Sequence, residues 1–405
     1  MKRSINTDIV IVGAGIMGLA VARELTERFP RLKITILEKE PSLACHASGR
    51  NSGVIHAGFY YTPDSLKARF TAQGNRLLTE YCLKHRLQIN RCGKVVVAKN
   101  EKELDSLHEL KKRGDQNGVI LHILDEKELG KLEPNAKTYK QALHSPSTST
   151  INPKEVVEHI AAQLKGKADI LLNEGFEKRE DERIISTTNL MVQYKYLFNA
   201  AGLYADTVAH QFGAGMKYTL IPFKGLYMKY KDDNLINRHI YPVPDLHNPF
   251  LGVHFTKTVE GNVKIGPTAI PALWRENYSG ISNFDLHELM EVVYYESELF
   301  IRNSFNFRGL VFEEVKKYYK RYLKRQASLL VKEINFNKFG RFLEPGIRAQ
   351  LLDKEKMTLV MDFVVEHCEH STHILNAVSP AFTSSFSFSK FIVDECEART
   401  KLSSL

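Results

Sequence analysis

The chain has 405 residues, 43% hydrophobic and 25% charged, with a formal net charge of +9. That length exceeds one typical core and suits two joined domains, and the ordinary composition fits a globular enzyme rather than a disordered or fibrous chain. No apolar run reaches the roughly 18 residues of a membrane span, and Cys45, Cys82, Cys92, Cys368 and Cys396 lack CxxC spacing, which favours reduced thiols over a disulfide framework or a metal site.

In chain order, the β-branched run at 8–12 (DIVIV) predicts a buried parallel strand. It begins too early to leave room for a signal or transit peptide, so a cytoplasmic location is expected. Gly13, Gly15 and Gly18 follow in a GxGxxG pattern. Gly13 permits the tight turn, Gly15 lets the backbone approach a pyrophosphate, and Gly18 lets the next helix pack on the strand. That helix is predicted over 16–28, stopping before Pro30, and its N-terminus favours a pyrophosphate. A second strand at 33–37 ends at Glu38, whose carboxylate is placed to accept ribose hydroxyls and to repel a 2′-phosphate; Lys39 follows as a further cofactor-binding candidate. Next comes 46–61, HASGRNSGVIHAGFYY, dense in Ser, Arg, Asn, Gly and His.

Helices are predicted over 65–85, 102–117 and 153–164, strands over 94–98 and 168–172, and a Ser/Thr-rich loop over 143–152. The run at 194–202 reads as a strand entering Ala200, Ala201 and Gly202, small enough to admit a flat ligand. Short runs at 220–230, 240–244, 250–255 and 261–267, punctuated by Pro and Gly, predict an antiparallel sheet in a second, substrate-facing domain. Helices are expected over 284–303 and 313–332, then a strand at 374–379 and a Ser-rich helix to 396.

The segment 315–332 contains seven Lys/Arg and no acid, so most of the net positive charge is one local feature rather than a nucleic-acid footprint, and no nucleic-acid partner is expected. Val315, Tyr318, Tyr319, Tyr322, Leu323, Leu329 and Leu330 recur at helical spacing among the cations. This pattern suits a helix lying on an anionic membrane surface, and equally a core-packing helix with a solvated basic back.

The Gly13–Gly18 unit with Glu38 resembles the D-amino-acid oxidase-like flavoenzymes. With 46–61, IPFKGLY at 221–227, IYPVPD at 240–245, FLGVHFT at 250–256, GPTAIPALWRENY at 266–278, PGIRAQ at 345–350 and NAVSPAFTSSF at 376–386, nearly the whole chain resembles the L-2-hydroxyglutarate dehydrogenase/oxidase group of that family. Lys224 and Thr268 depart from the group's common Arg and Asn. The resemblance implies an α/β (overall α+β) fold. A Rossmann-like FAD-binding domain of glutathione-reductase type is expected over 1–90, 145–218 and 336–405, and an antiparallel-sheet substrate domain over 91–144 and 219–335. It implies non-covalent FAD, held by Ser48, Arg50, Asn51, Ser52, Ala200, Gly202, Gly346 and Ser379 beside the glycine loop. It also implies a dicarboxylate substrate, and an electron acceptor such as membrane quinone reached from the inner face of the cell membrane.

Oxidising a 2-hydroxy acid requires a base for the hydroxyl proton and cations for the carboxylates. His56 and His254 are the candidate bases, and His46 is expected to position the loop or the flavin. Arg348 is the candidate carboxylate clamp, its fork matching a carboxylate bidentately. Lys224, Tyr60, Tyr241, Ser384 and Ser385 are candidate substrate contacts. A glycerol 3-phosphate dehydrogenase, an amino-acid oxidase, and a non-catalytic FAD-binding or RNA-associated protein are the alternatives.

Overall fold

Ile9–Val12 is buried along its whole length and lies inside a six-stranded sheet. In the computed structural model of the chain, which describes residues 2–245 and 251–404, that sheet runs Asp169–Leu171, Ile34–Leu37, Ile9–Val12, Tyr196–Asn199, Ser371–Ile374, Val365–Cys368. All neighbours are parallel except the final antiparallel pair. The four central strands are buried at every position because both faces are covered. Helix Ile16–Arg28 packs along Ala381–Thr400 and Pro153–Leu164, and Arg28 pairs with Asp394 at 2.7 Å.

The chain divides into two units. The first comprises Met1–Asn51, Pro153–Pro222 and Arg348–Leu405; the second comprises Ser52–Asn152 and Phe223–Ile347. Residues 52–90, expected with the cofactor domain, fall in the second unit, where Val54–Ile55 and Ile89–Asn90 both pair with Ser149–Ile151. The predicted loop at 143–152 is therefore largely strand. The first unit also holds a four-stranded sheet, Arg3–Asn6, Leu190–Gln193, Ile184–Thr187, Phe176–Asp181, which the sequence reading missed. Its outer strand, FEKRED, is charged and mostly exposed, so it carries no alternating apolar signal.

The second unit is built on an eight-stranded sheet, ordered Phe339–Phe342, Met228–Tyr230, Val263–Gly266, His254–Lys257, His239–Pro242, Lys94–Val97, Gln141–Ser145, His122–Asp125. It is antiparallel except where His239–Pro242 runs parallel to Lys94–Val97. The expected strand at 250–255 begins at His254, and Phe250 lies outside the described residues. Strand alternation sorts the faces. Val95 and Val97 join a core with Leu323, Ala327, Leu330 and Val331, whereas Val96 joins Phe59, Leu107, Leu110 and Tyr241.

The basic segment differs from the single helix expected over 313–332. It forms two helices, Phe307–Lys316 and Lys320–Ser328. Leu323 and Leu330, two residues of the stripe that suited either a membrane or a core, are buried against Val95 and Val97 of the sheet. Val315, Tyr318, Tyr319 and Leu329 of the same segment stay exposed, and further exposed apolar residues lie upstream, including Met290, Tyr294, Ile301 and Phe312.

Candidate active site

The first unit forms a cradle around the glycine loop. Gly13 has φ +103°, and a Cβ there would lie 2.5 Å from the Ala200 carbonyl oxygen. A Cβ on Gly18 would lie 1.9 Å from the Gly13 carbonyl oxygen, so only glycine lets the helix sit this close to the strand. Gly15 is different: its Cβ would approach only the Ser48 hydroxyl, at 3.0 Å, leaving the space beside its backbone free of other protein atoms. Gly15 caps helix Ile16–Arg28, whose first turn holds no acid, so its N–H groups favour an anion.

Glu38 closes the cradle. Its carboxylate accepts the Ala14 N–H at 3.0 Å and the Glu40 N–H at 3.1 Å. Ser48 Oγ accepts the Ile16 N–H at 2.9 Å, tying the 46–51 segment to the helix start. Arg50 donates to the Cys45 carbonyl at 2.6 Å and Asn51 to the Ser48 carbonyl at 2.9 Å, so both fold this segment into a compact turn. His46 pairs with Glu40 at 2.7 Å. Lys39 pairs with Glu40 and lies 5.7 Å from the Tyr204 ring. Gly202, at φ +60°, has open space where a side chain would be, and Ala200 is half-buried. Glycine loop, acid and helix N-terminus fit a dinucleotide in donor chemistry and in the room left at Gly15.

Also in the first unit, Arg348 is half-buried on strand Gly346–Asp353, which carries the chain in from the second unit at Gly346. Ser379 is exposed just before helix Ala381–Thr400, and Ser384 and Ser385 are buried within it. Ser385 Oγ is buried without a hydrogen-bond partner.

The second unit gathers the candidate proton-handling residues. The 54–61 segment is pinned from neighbouring helices. Asn75 donates to the His56 and Ser147 carbonyls, both at 3.1 Å, and Asn117 donates to the Gly58 and Tyr61 carbonyls, both at 3.0 Å. Ser52 Oγ accepts the Val54 N–H at 3.2 Å. His56 is half-buried. Protein packed around it, then the Lys94 charge, push its pKa down to about 3, so it is a neutral imidazole near pH 7. His254 is buried and stacks on Tyr241 with ring centres 3.7 Å apart. Its Nδ1 lies 2.8 Å from the Gly252 carbonyl oxygen, which requires a proton on Nδ1 and leaves Nε2 as the basic nitrogen. Burial pushes its pKa well below the usual histidine value.

Two members of this cluster escaped the sequence reading. His239 accepts the Lys257 N–H on Nδ1 at 3.1 Å and meets Cys92 Sγ through Nε2 at 3.4 Å. Lys94 is fully buried, with Nζ 4.6, 4.5 and 4.8 Å from the ring centres of Phe59, Tyr60 and Tyr241. Lys94 Nζ and Tyr60 Oη are both buried without hydrogen-bond partners. The available signal was a lysine opening the KVVVA strand two residues before the inward-facing Val96. Lys224 also belongs to this unit. It is buried and donates to Asn277 Oδ1 at 2.9 Å. Thr268 Oγ1 accepts the Leu226 N–H and donates to the Lys224 carbonyl, fixing the backbone on which Lys224 stands.

Comparison with known proteins agrees with this chemistry. A family model described as FAD dependent oxidoreductase matches residues 8–375. Proteins named L-2-hydroxyglutarate dehydrogenase, mitochondrial, from Bos taurus and Homo sapiens are each 36% identical over 419 residues, covering 98% of this chain and 89% of their own length. Among solved structures, dithionite-reduced, FAD-bound L-alpha-glycerophosphate oxidase from Mycoplasma pneumoniae matches with a TM-score of 0.75 at 24% identity, covering 99% of this chain and 95% of that one. Glycine oxidase from Geobacillus kaustophilus matches with a TM-score of 0.70 at 16% identity, covering 98% and 95%. At these identities the two structures speak for the fold.

Proposed function

The chain belongs to the FAD-dependent oxidoreductase family, and from that premise we propose that it oxidises L-2-hydroxyglutarate to 2-oxoglutarate with FAD as cofactor. The observation that carries the substrate is the 36% identity, spread over 98% of the chain, to the bovine and human proteins of that name. Gly13, Gly15, Gly18, Glu38 and Ser48 would hold the FAD, without a covalent link. When bound, FAD supplies the hydride acceptor for the hydroxyl-bearing carbon. The chain's own residues manage charge and proton. Arg348 offers a guanidinium fork to a substrate carboxylate. His56 takes the hydroxyl proton: its imidazole is neutral, and its partial exposure lets it reach a ligand. One observation favours His254 as a second reading, since the Gly252 carbonyl fixes the tautomer that leaves Nε2 basic.

Anaerobic mixing of the yellow protein with a panel of hydroxy acids, amino acids and glycerol 3-phosphate tests the substrate. L-2-Hydroxyglutarate should bleach the flavin. If it leaves the flavin oxidised while another compound bleaches it, the assignment falls. A His56→Ala variant that bleaches at the normal rate removes His56 as base, and His254→Ala tests the second reading in the same way.

The electrons go on, in this proposal, to a quinone in an anionic membrane that the protein touches peripherally. Among the described residues no helix is long and apolar enough to cross a membrane. Helices Leu286–Arg302 and Phe307–Lys316 instead meet through Phe300 and Phe312, with ring centres 6.1 Å apart, and expose Met290, Tyr294, Ile301 and Phe312. Cations concentrate in the acid-free segment that follows, at Lys316, Lys317, Lys320, Arg321, Lys324 and Arg325, which also exposes Val315, Tyr318, Tyr319 and Leu329. Apolar side chains among cations suit an anionic lipid surface. Vesicles containing anionic lipid should retain the protein at physiological salt, and loss of retention at that salt would overturn the proposal.

A further inference from the structure

Lys94 takes no part in the reaction as described, yet it occupies the middle of the histidine cluster. Its side chain is fully buried, its Nζ has no hydrogen-bond partner, and three aromatic faces surround it at 4.5 to 4.8 Å. A buried ammonium without an anion is costly, and three ring faces recover only part of that cost. A methionine would fill similar space without it, so packing alone does not account for a lysine here. The charge is felt on every side. Lys94 depresses the protonation of His56, of His239 and of His254.

The groups facing this centre come from six stretches of chain. His56, Tyr60 and Tyr61 lie on the 54–61 segment. His239 and Tyr241 lie on strand His239–Pro242, and His254 on strand His254–Lys257. Lys264, on strand Val263–Gly266, acts on His239, and Cys92 and Tyr227 act on Tyr241. These groups are bases, phenols and a thiol; Glu260 acts on Lys264.

We propose that Lys94 is a positioning residue: its caged ammonium braces the Tyr241–His254 stack and sets a fixed positive charge within the His56 and His254 cluster, so that a base stands ready. The order of protonation supports this. Burial pushes Lys94 down to about 7, whereas His56 is pushed to about 3, so the lysine is charged before the imidazole can be. The geometry reinforces it. Tyr241 presents one ring both to the Lys94 ammonium and to the His254 stack, so losing the ammonium frees the ring that aims His254.

The role rests on His56 or His254 being the base, and its test is chosen to stand apart from the substrate reading. Histidine ring-proton NMR of the FAD-loaded protein, assigned with His56→Ala and His254→Ala, follows the imidazoles without any substrate. In Lys94→Met both imidazole pKa values should rise by about one unit, a tenfold change in protonated fraction. The acid limb of kcat/KM should move up by the same amount, and Lys94→Arg should restore it. Lys94→Gln serves if Lys94→Met does not fold. Unmoved imidazole titrations overturn the proposal even if activity falls, because a packing role alone predicts that. A higher KM for a dicarboxylate but not for a monocarboxylate 2-hydroxy acid, with imidazole titrations unchanged, also overturns it and makes Lys94 a direct substrate contact. If L-2-hydroxyglutarate fails to bleach the wild-type flavin, the substrate reading falls while the NMR result still decides the role of Lys94.

Discussion

Gly15→Ala separates cofactor binding from folding. Gly15 has φ −72° and ψ 177°, which alanine adopts without strain. Such a change commonly stabilises a protein by about 0.4–1 kcal/mol through the unfolded chain. Here the gain is offset by the 3.0 Å approach of the new methyl to Ser48 Oγ, a hydroxyl held in place by the Ile16 N–H. The apoprotein should therefore keep its stability within about 1 kcal/mol. The bound cofactor has no such freedom. A methyl forced into the close backbone approach of a pyrophosphate costs about 1–3 kcal/mol, or about 5- to 150-fold in Kd. Titration of apoprotein with FAD reads the Kd directly, and the stabilisation conferred by saturating FAD should shrink by the same free energy. Gly18→Ala is the contrast, because its methyl would fall 1.9 Å from the Gly13 carbonyl oxygen and should destabilise the apoprotein itself. Wild-type FAD affinity in Gly15→Ala would refute the placement of the pyrophosphate at this loop.

Glu38→Ala removes the acceptor of the Ala14 and Glu40 N–H groups together with the expected ribose contact. FAD affinity should fall at least about tenfold by titration, and an unchanged Kd would remove Glu38 from the site. Buried His239 and His373 are each pushed down to about 3, against about 6.5 in the unfolded chain. The unfolded state binds more protons between those values, so the stability they support is present above about pH 6.5 and is lost as pH falls toward 3, at about 1.4 kcal/mol per pH unit for each histidine. Urea midpoints should decline through that window, and a flat profile would contradict their burial as neutral rings. Ile301→Glu with Tyr319→Glu should abolish retention on anionic vesicles while leaving bleaching by substrate intact; retention without change would move the contact elsewhere.

The first βαβ unit was legible because each residue type there answers a local demand: β-branched residues for a covered strand, Gly13 for positive φ, Gly18 for close packing, and Glu38 at the strand end. The small sheet formed by Arg3–Asn6 and the strands over 176–193 was not, since its exposed charged strand is stabilised by pairing rather than by an apolar face. The basic segment misled because its apolar repeat satisfies a core and a membrane equally well. Only the position of the eight-stranded sheet decides that Leu323 and Leu330 turn inward. Lys94 was passed over for a related reason. A charge at the edge of a valine run looks like a solvated strand end, and its burial depends on Phe59, Tyr60 and Tyr241 arriving from distant parts of the chain.

The central claim is tested most directly by anaerobic reduction of the FAD-loaded protein with L-2-hydroxyglutarate, with the product measured alongside the loss of the flavin's visible absorbance. The account predicts one 2-oxoglutarate formed for each flavin bleached. Bleaching without 2-oxoglutarate, or an unbleached flavin in protein that glycerol 3-phosphate or an amino acid does bleach, would contradict it.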